Sequence, residues 1–399
     1  MSFQIALSGL NAASTDLQVT SNNIANANTI AFKSSRAEFA DVYSGEAIGI
    51  GNGVRLAEVR QEFTQGNVDI TERQLDLAVS GKGFFIVNDS GSLLYSRVGA
   101  FGLNQDGFVE NSEQERLQVY PSRGDGTFNT GALVDLQFTT DTAPPQATST
   151  IDMNINLPAG APLPVTSPFN PAEPQSYNHS TSTISYDSLG VAHNTTFYFY
   201  PNAAGDWEAA ATVDGTSVGV AQPFAFNSTG TLVSPANGIL TYSGFDPGNG
   251  AATMSIDLDL SPTTQYGSDF VVNTINPDGQ AAGRLRSIEI DPTGVVFARF
   301  SNGVSSALGK VALANFSNPE GLLKVSDTSF QETFRSGVPQ RGEATQSDFG
   351  VIQSGALEAS NVDLTAQLVK MITSQRLFQA NAQVISTLDT VTQTIINIR

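Results

Sequence analysis

The 399-residue chain contains no cysteine, which excludes a disulfide framework, a cysteine-based zinc site and a thiol nucleophile. Outside a reducing compartment such a protein must be held together by burial or by assembly. Charge is scarce as well, at 14% of residues, and basic charge is missing altogether from residues 124 to 283, a stretch that holds fourteen acids. With a net charge of -19 the chain repels phosphate backbones and anionic lipids, so neither nucleic acid nor a membrane surface is an expected partner. Residues 1 to 30 have no Lys or Arg and no apolar run of the length that a secretory leader or a membrane span needs. No cleaved signal peptide is expected, and a protein of this kind that leaves the cell would use another route. Histidine is nearly absent: His179 and His193 lie in the acidic middle with no believable nucleophile, and solvated loop or strand-edge positions are expected for both.

What is present suits several β-rich domains. The chain carries 36 Gly and much Ser, Thr and Asn for turns, with 24 Phe and 9 Tyr to fill cores, and its length allows two or three domains. The ends read differently. Phe3, Leu7, Leu10, Leu17 and Ile24 follow a four-three spacing whose skipped members are Ser14 and Ser21, a coiled-coil-like seam thinned by small polar residues. Asn22, Asn23, Asn26 and Asn28 follow directly, and asparagine both disfavours helix and tolerates the left-handed turn that ends one. At the other end Leu364, Leu368 and Met371 begin a stripe that drifts by one residue near Leu377 and Phe378. It continues as Val384, Leu388, Val391, Ile395 and Ile398. Ser360, with Asp363 three residues on, marks its start as an N-cap pattern. As helices the two ends would span roughly 36 Å and 58 Å, so part of the longer stripe needs a neighbour other than the shorter helix. Copies of the same chain are the candidates; an intramolecular bundle is the alternative, and periodicity does not separate the two.

Between the ends the period falls to two. Hairpins are expected over residues 83–96 around Asp89-Ser90-Gly91, over 101–110, and over 288–303 around Asp291-Pro292-Thr293-Gly294. Residues 141–176, crowded with Pro, Thr, Ala and Ser, read as a linker into a separate domain holding strands such as 183–186, 195–200 and 254–260. No catalytic chemistry assembles. Asp257 and Asp259 alternate with Ile256, Leu258 and Leu260 and read as the outer face of a strand rather than a calcium site. Gly81-Lys82-Gly83 and Gly49-Ile50-Gly51 lack the spacing of a nucleotide fingerprint and read as turns. Asn178, Asn194 and Asn227 stand in N-x-S/T triplets of the kind that so Asn-, Ser- and Thr-rich a chain produces by chance.

Five segments, in order SGLNAAS, SNNIANANTIAFK, LDLAVSGKGFFIV, YSRVGAFGLNQDGFV and GALEASNVDLTAQLVKMITSQRLFQANAQVISTLD, resemble the signatures of the bacterial flagellar axial proteins that build rod, hook and junctions. The likeness covers about residues 1–120 and 285–399, and Ala31 stands where the family's second motif usually has glycine. The long central insertion, the opening MSFQIALSGLNAAS and the closing length look most like the members that form the hook.

The resemblance implies an α+β multidomain fold. Terminal helices, 1–28 and 361–399, would pair as a coiled-coil-like inner core, followed by a linker region of 29–70 and 340–360. A discontinuous β domain of 71–145 and 280–339 would come next, with an outermost β domain, 146–279, inserted into it. It implies no catalysis and no cofactor. The expected product is a homopolymeric tube outside the cell, joining a distal rod protein to a hook-filament junction protein, built under a hook cap from subunits delivered by the flagellar type III export apparatus. Its polymer interface would comprise Phe3, Leu7, Leu10, Leu17, Ile24, Leu364, Leu368, Met371, Phe378, Val384, Leu388, Val391, Ile395 and Ile398. Asn22, Asn23, Asn26 and Asn28 would turn the chain out of the helical layer, with Phe32 and Lys33 opening the linker. A straight distal-rod subunit, a secreted β-rich adhesin with a helical stalk, and a polysaccharide-active enzyme are the rival readings; the last would need a carboxylate pocket.

Overall fold

The computed structural model describes residues 2–42, 51–124, 126–138, 142–202 and 205–397, so the expected turn at Gly49 and Ile50 and the interface residue Ile398 lie outside the described residues. Contacts divide the chain into two units: Met1–Thr139 with Ser287–Arg299 and Ser305–Arg399, and Thr140–Arg286 with Phe300–Val304. The expected helical core and linker fall within the first, and so does the discontinuous β domain apart from 140–145, 280–286 and 300–304.

In that first unit helix α1 runs Ser2–Ala25 and helix α2 runs Leu364–Asn397. The residue that caps α2 is Asp363 and not Ser360: its Oδ1 accepts the Ala366 N–H at 3.1 Å, while Ser360 Oγ only takes the Val362 N–H at 3.3 Å. Chain from both ends interleaves above the helices. Ala356–Glu358 pairs with Val68–Ile70, and Val351–Ser354 with Leu77–Ser80. Ser35–Asp41 and Val54–Gln61 form a separate antiparallel ribbon. The sheet beyond is built on Phe84–Asp89, Ser92–Ser96, Arg116–Pro121 and Ser305–Asn315. Its run Phe84-Phe85-Ile86-Val87 is buried throughout because alternate residues enter two different cores, Phe85 and Val87 one, Phe84 and Ile86 the other. The expected hairpins form: Asp89 pairs with Ser92 across Ser90 and Gly91, both at positive φ, and Asp291 Oδ1 accepts the Thr293 and Val295 N–H groups beside Gly294 at φ +84°.

The second unit is two antiparallel-rich sheets sharing one core. One sheet contains His179–Tyr186, Ala192–Pro201, Trp207–Val213 and Thr216–Phe226; the other contains Ile239–Phe245, Met254–Asp259, Thr150–Pro158 and Val271–Pro277. Two expectations are corrected here. Residues 141–176 are not all linker: Thr150–Pro158 is a central strand, and Ile151, Met153, Ile155 and Leu157 are fully buried. A period-two pattern of large apolar residues outweighs the surrounding Pro, Thr and Ala. His179 lies half-buried on the sheet's edge strand, as expected, but His193 sits in neither a solvated nor an edge position. His179 stacks on Phe270, with ring centroids 4.6 Å apart, and His193 is buried with Nδ1 2.7 Å from Asp214 Oδ2 and Nε2 3.4 Å from Asp187 Oδ2. Asp257 and Asp259 face outward as alternation required, Asp257 accepting from Thr241 Oγ1 at 2.7 Å. The unit extends a few residues beyond 146–279 because Thr142–Ala143 pairs with Arg284 and Gly283, and Gln146 bridges Gln280.

Candidate assembly interface

The two terminal helices lie antiparallel, and three contacts one heptad apart fix their register. Gly9 meets Asn381, where a Cβ would stand 2.7 Å from Oδ1; Asp16 meets Ser374 Oγ and Lys370 Nζ, the latter at 3.2 Å; Asn23 Nδ2 donates to Gln367 Oε1 at 3.3 Å. Ala6, Ala13 and Thr20 continue this face of α1 and are buried. Small residues let the helices approach closely, so the fully buried face of α1 is its small one.

The residues expected at the polymer interface divide by exposure. On α1, Phe3 and Leu7 remain 54% and 42% exposed, while Leu10, Leu17 and Ile24 are half-buried. On α2 the stripe divides. Leu388 continues the heptad of Gln367, Ser374 and Asn381 that meets α1, Met371 and Phe378 lie on the adjoining row four residues along, and all three are half-buried. Leu364, Leu368, Val384, Val391 and Ile395 stay exposed, as do Val369, Ile372, Leu377 and Ile396, which lie outside the expected interface. Counting α2 in the observed register, the residues beyond Leu388 pass the start of α1.

The asparagine cluster has distinct local roles. The Asn22 carbonyl accepts both the backbone N–H of Asn26, at 3.1 Å, and its Nδ2, at 3.0 Å, closing the last turn. Asn23 is fully buried and grips the Ser35 peptide from both sides, accepting its N–H at 2.9 Å and donating to its carbonyl at 2.8 Å. Asn28 is exposed. Ala31 then takes φ +54°, the left-handed angle that glycine adopts without strain, and its N–H donates to the Glu358 carbonyl at 2.7 Å.

Phe32 and Lys33 are buried, and Lys33 leads to a charge cluster that spacing did not reveal. Its Nζ lies 2.6 Å from Glu358 Oε1 and donates to the Thr64 carbonyl at 2.8 Å. The other Glu358 oxygen faces Arg97 Nη1 at 3.4 Å, and Arg97 also donates to the carbonyls of Val79 and Gly81. Burial pushes both Lys33 and Arg97 below their usual basic range, against the opposing pull of Glu358. Lys33 and Glu358 are 325 residues apart, so only their presence in the second and last quoted segments hinted at a shared role.

Among the described residues no group of three or more His, Asp or Glu side chains is arranged to hold a metal ion, and no helix is long and apolar enough to cross a membrane. Two chain ends that fold as one helical pair, with β units carried between them, match the arrangement of family models found along the chain. Residues 3–33 match the flagella basal body rod protein and 353–398 the C-terminal region of the flagellar basal body rod FlgEFG proteins. Residues 78–164 match the flagellar hook protein FlgE/F/G D1 domain, and 156–280 the D2 domain of the flagellar basal body protein FlaE. The class is therefore that of the flagellar rod and hook proteins.

Similarity then extends end to end. The flagellar hook protein FlgE of Escherichia coli (strain K12) is 38% identical over 405 residues, covering all of both chains, and that of Borreliella burgdorferi is 32% identical over 98% of each. The chain belongs to the flagellar hook protein FlgE family. The crystal structure of the Helicobacter pylori flagellar hook protein FlgE2 shares the fold, with a TM-score of 0.56 at 16% identity over 73% of this chain and the whole of that one.

Proposed function

We propose that this chain is the non-catalytic structural subunit of the flagellar hook, a tube of many copies that transmits torque from rod to filament while it bends. The observation that carries the reading is the division of the terminal helices. Their small and polar heptad pairs within the chain, leaving Leu364, Leu368, Val384, Val391 and Ile395 on α2, with Phe3 and Leu7 on α1, exposed to receive other copies. Burial of apolar surface stabilises by about 25 cal/mol per square ångström, so these faces, together with the half-buried Leu10, Leu17, Ile24, Met371, Phe378 and Leu388, supply the persistent contacts of the tube wall. The outer β unit, with no Lys or Arg from 124 to 283, meets its copies through wet polar contacts that re-form as the tube curves. Distal rod protein, hook cap, junction protein and export apparatus are the partners this role requires, and delivery by that apparatus dispenses with a cleaved leader.

Electron microscopy of three concentrated proteins tests the reading. The full chain is expected to form curved tubes, a chain without 1–28 and 361–399 to form none, and a chain without 146–279 to form tubes of altered curvature. Tubes from the doubly trimmed chain would overturn the role of the helices, and normally curved tubes without 146–279 would overturn that of the outer unit.

A further inference from the structure

Phe334 is fully exposed, at 104% of its reference area, beyond Phe3 at 54% and Phe39 at 38%. It does not sit on a loose loop. Thr333 Oγ1 donates to the Gly321 carbonyl at 2.6 Å and accepts the Arg335 N–H at 3.1 Å. Ser336, completely buried, accepts the Thr333 N–H at 2.9 Å and donates to the Thr333 carbonyl at 2.8 Å. Asn318 Nδ2 holds the Arg335 carbonyl at 3.0 Å, and Arg335 itself reaches Glu58 at 3.3 Å. A large aromatic side chain is thus held out in water on a turn whose backbone is fixed on both sides, which lowers the ordering cost of seating it against a partner.

The surroundings extend the apolar surface. Leu323, Val325 and Val338 are each more than half exposed on the same segment, and beside Phe334 opens a groove of about 530 Å3 whose walls include Leu323 and Val59. Val59 belongs to the ribbon, where the neighbouring cross-strand pair Phe39 and Leu56 is also exposed. This ribbon runs along α1, with the Val54 N–H donating to Ser8 Oγ at 3.1 Å and Ser35 clasped by Asn23, so the patch adjoins the helical layer proposed to assemble. Charge selects the occupant. The groove is lined by Glu58, Glu320, Lys324 and Arg335, two acids and two bases, in a chain whose net charge is -19. Two copies repel over most of their surface and can approach with least opposition through a neutral, mixed-sign patch.

Building on the hook-subunit reading, we infer that Phe334 and the groove beside it form a docking face for a second copy of this chain, with Phe334 as its aromatic anchor. The test uses the full-length chain. Phe334→Asp is expected to raise the concentration at which tubes form by about tenfold or more, because it removes a buried aromatic anchor from every contact. Circular dichroism and melting temperature of the monomer should not change, since the side chain touches solvent only. Benzoylphenylalanine placed at 334 and irradiated in assembled material in cells should yield covalent pairs of this chain. Wild-type tubes matched at equal concentration by Phe334→Asp, or a crosslink to any other polypeptide, would overturn the docking face and leave the hook reading standing. A wild-type chain that never assembles would overturn both.

Discussion

Glu358 is the residue on which most of the first unit converges: one buried carboxylate accepts from Lys33, Arg97 and the Gly66 N–H, while its own peptide carbonyl holds Ala31. Replacing it with Gln leaves two buried cations short of a counter-charge, and breaking a buried ion pair from one side costs about 3–5 kcal/mol. Glu358→Gln should lower the urea midpoint of the first unit by a corresponding amount, while the second unit's transition stays in place. In the second unit His193 offers a pH-dependent counterpart. Burial alone would lower its pKa, but the hydrogen bonds and charges of Asp214 and Asp187 outweigh it and raise it above 6.5. A raised base contributes stability that is full below the unfolded pKa and is lost as pH climbs through the folded one. Asp187, also subject to burial, is nevertheless held down to about 2 by Asn249, the Val191 and Leu189 N–H groups and His193, so its contribution is full above 3.8 and is lost as pH falls from there to about 2. Melting of the second unit should therefore peak between about pH 4 and 6.5, decline at alkaline pH, and lose the alkaline decline in His193→Gln. A melting curve flat from pH 6 to 9 in the wild type would contradict the assignment. Nothing around His193 in the sequence announced this pairing, since Asp187 and Asp214 reach it from two separate turns.

At the scale of elements, both helices, the hairpins and several strands of the second unit were legible because each is written in a local period. The face by which the helices pair was not. Large apolar residues mark where burial is strongest, and in this chain the strongest burial is held back from the fold: α1 turns Ala6, Gly9 and Ala13 to α2 and keeps Phe3 and Leu7 outside. Thr150–Pro158 was hidden for the opposite reason, its alternating core residues being diluted by a proline-rich neighbourhood. The helix pair buries modest side chains and leaves Thr20 Oγ1 enclosed without a hydrogen-bond partner, so it is a weak pair in isolation. Amide exchange should be fast over residues 2–25 and 364–397 in the free subunit and slowed by at least a hundredfold in the polymer. Slow exchange over 2–25 in the monomer would contradict this.

At the scale of the whole molecule, one chain carries two kinds of surface. Its ends keep apolar faces that the fold does not cover, and its middle carries acidic and small polar residues over a well-filled β core. Under the proposed function the ends supply the permanent contacts and the middle the re-forming ones, as a tube that bends while it turns requires. The most direct measurement is assembly of the full chain carrying Leu368→Asp, Val384→Asp and Val391→Asp together. These positions are exposed, so the monomer's β units should melt as in the wild type, and negative-stain microscopy should show no tubes at concentrations where the wild type forms them. Tubes of normal diameter and yield from the triple variant would show that the uncovered helix faces do not build the wall.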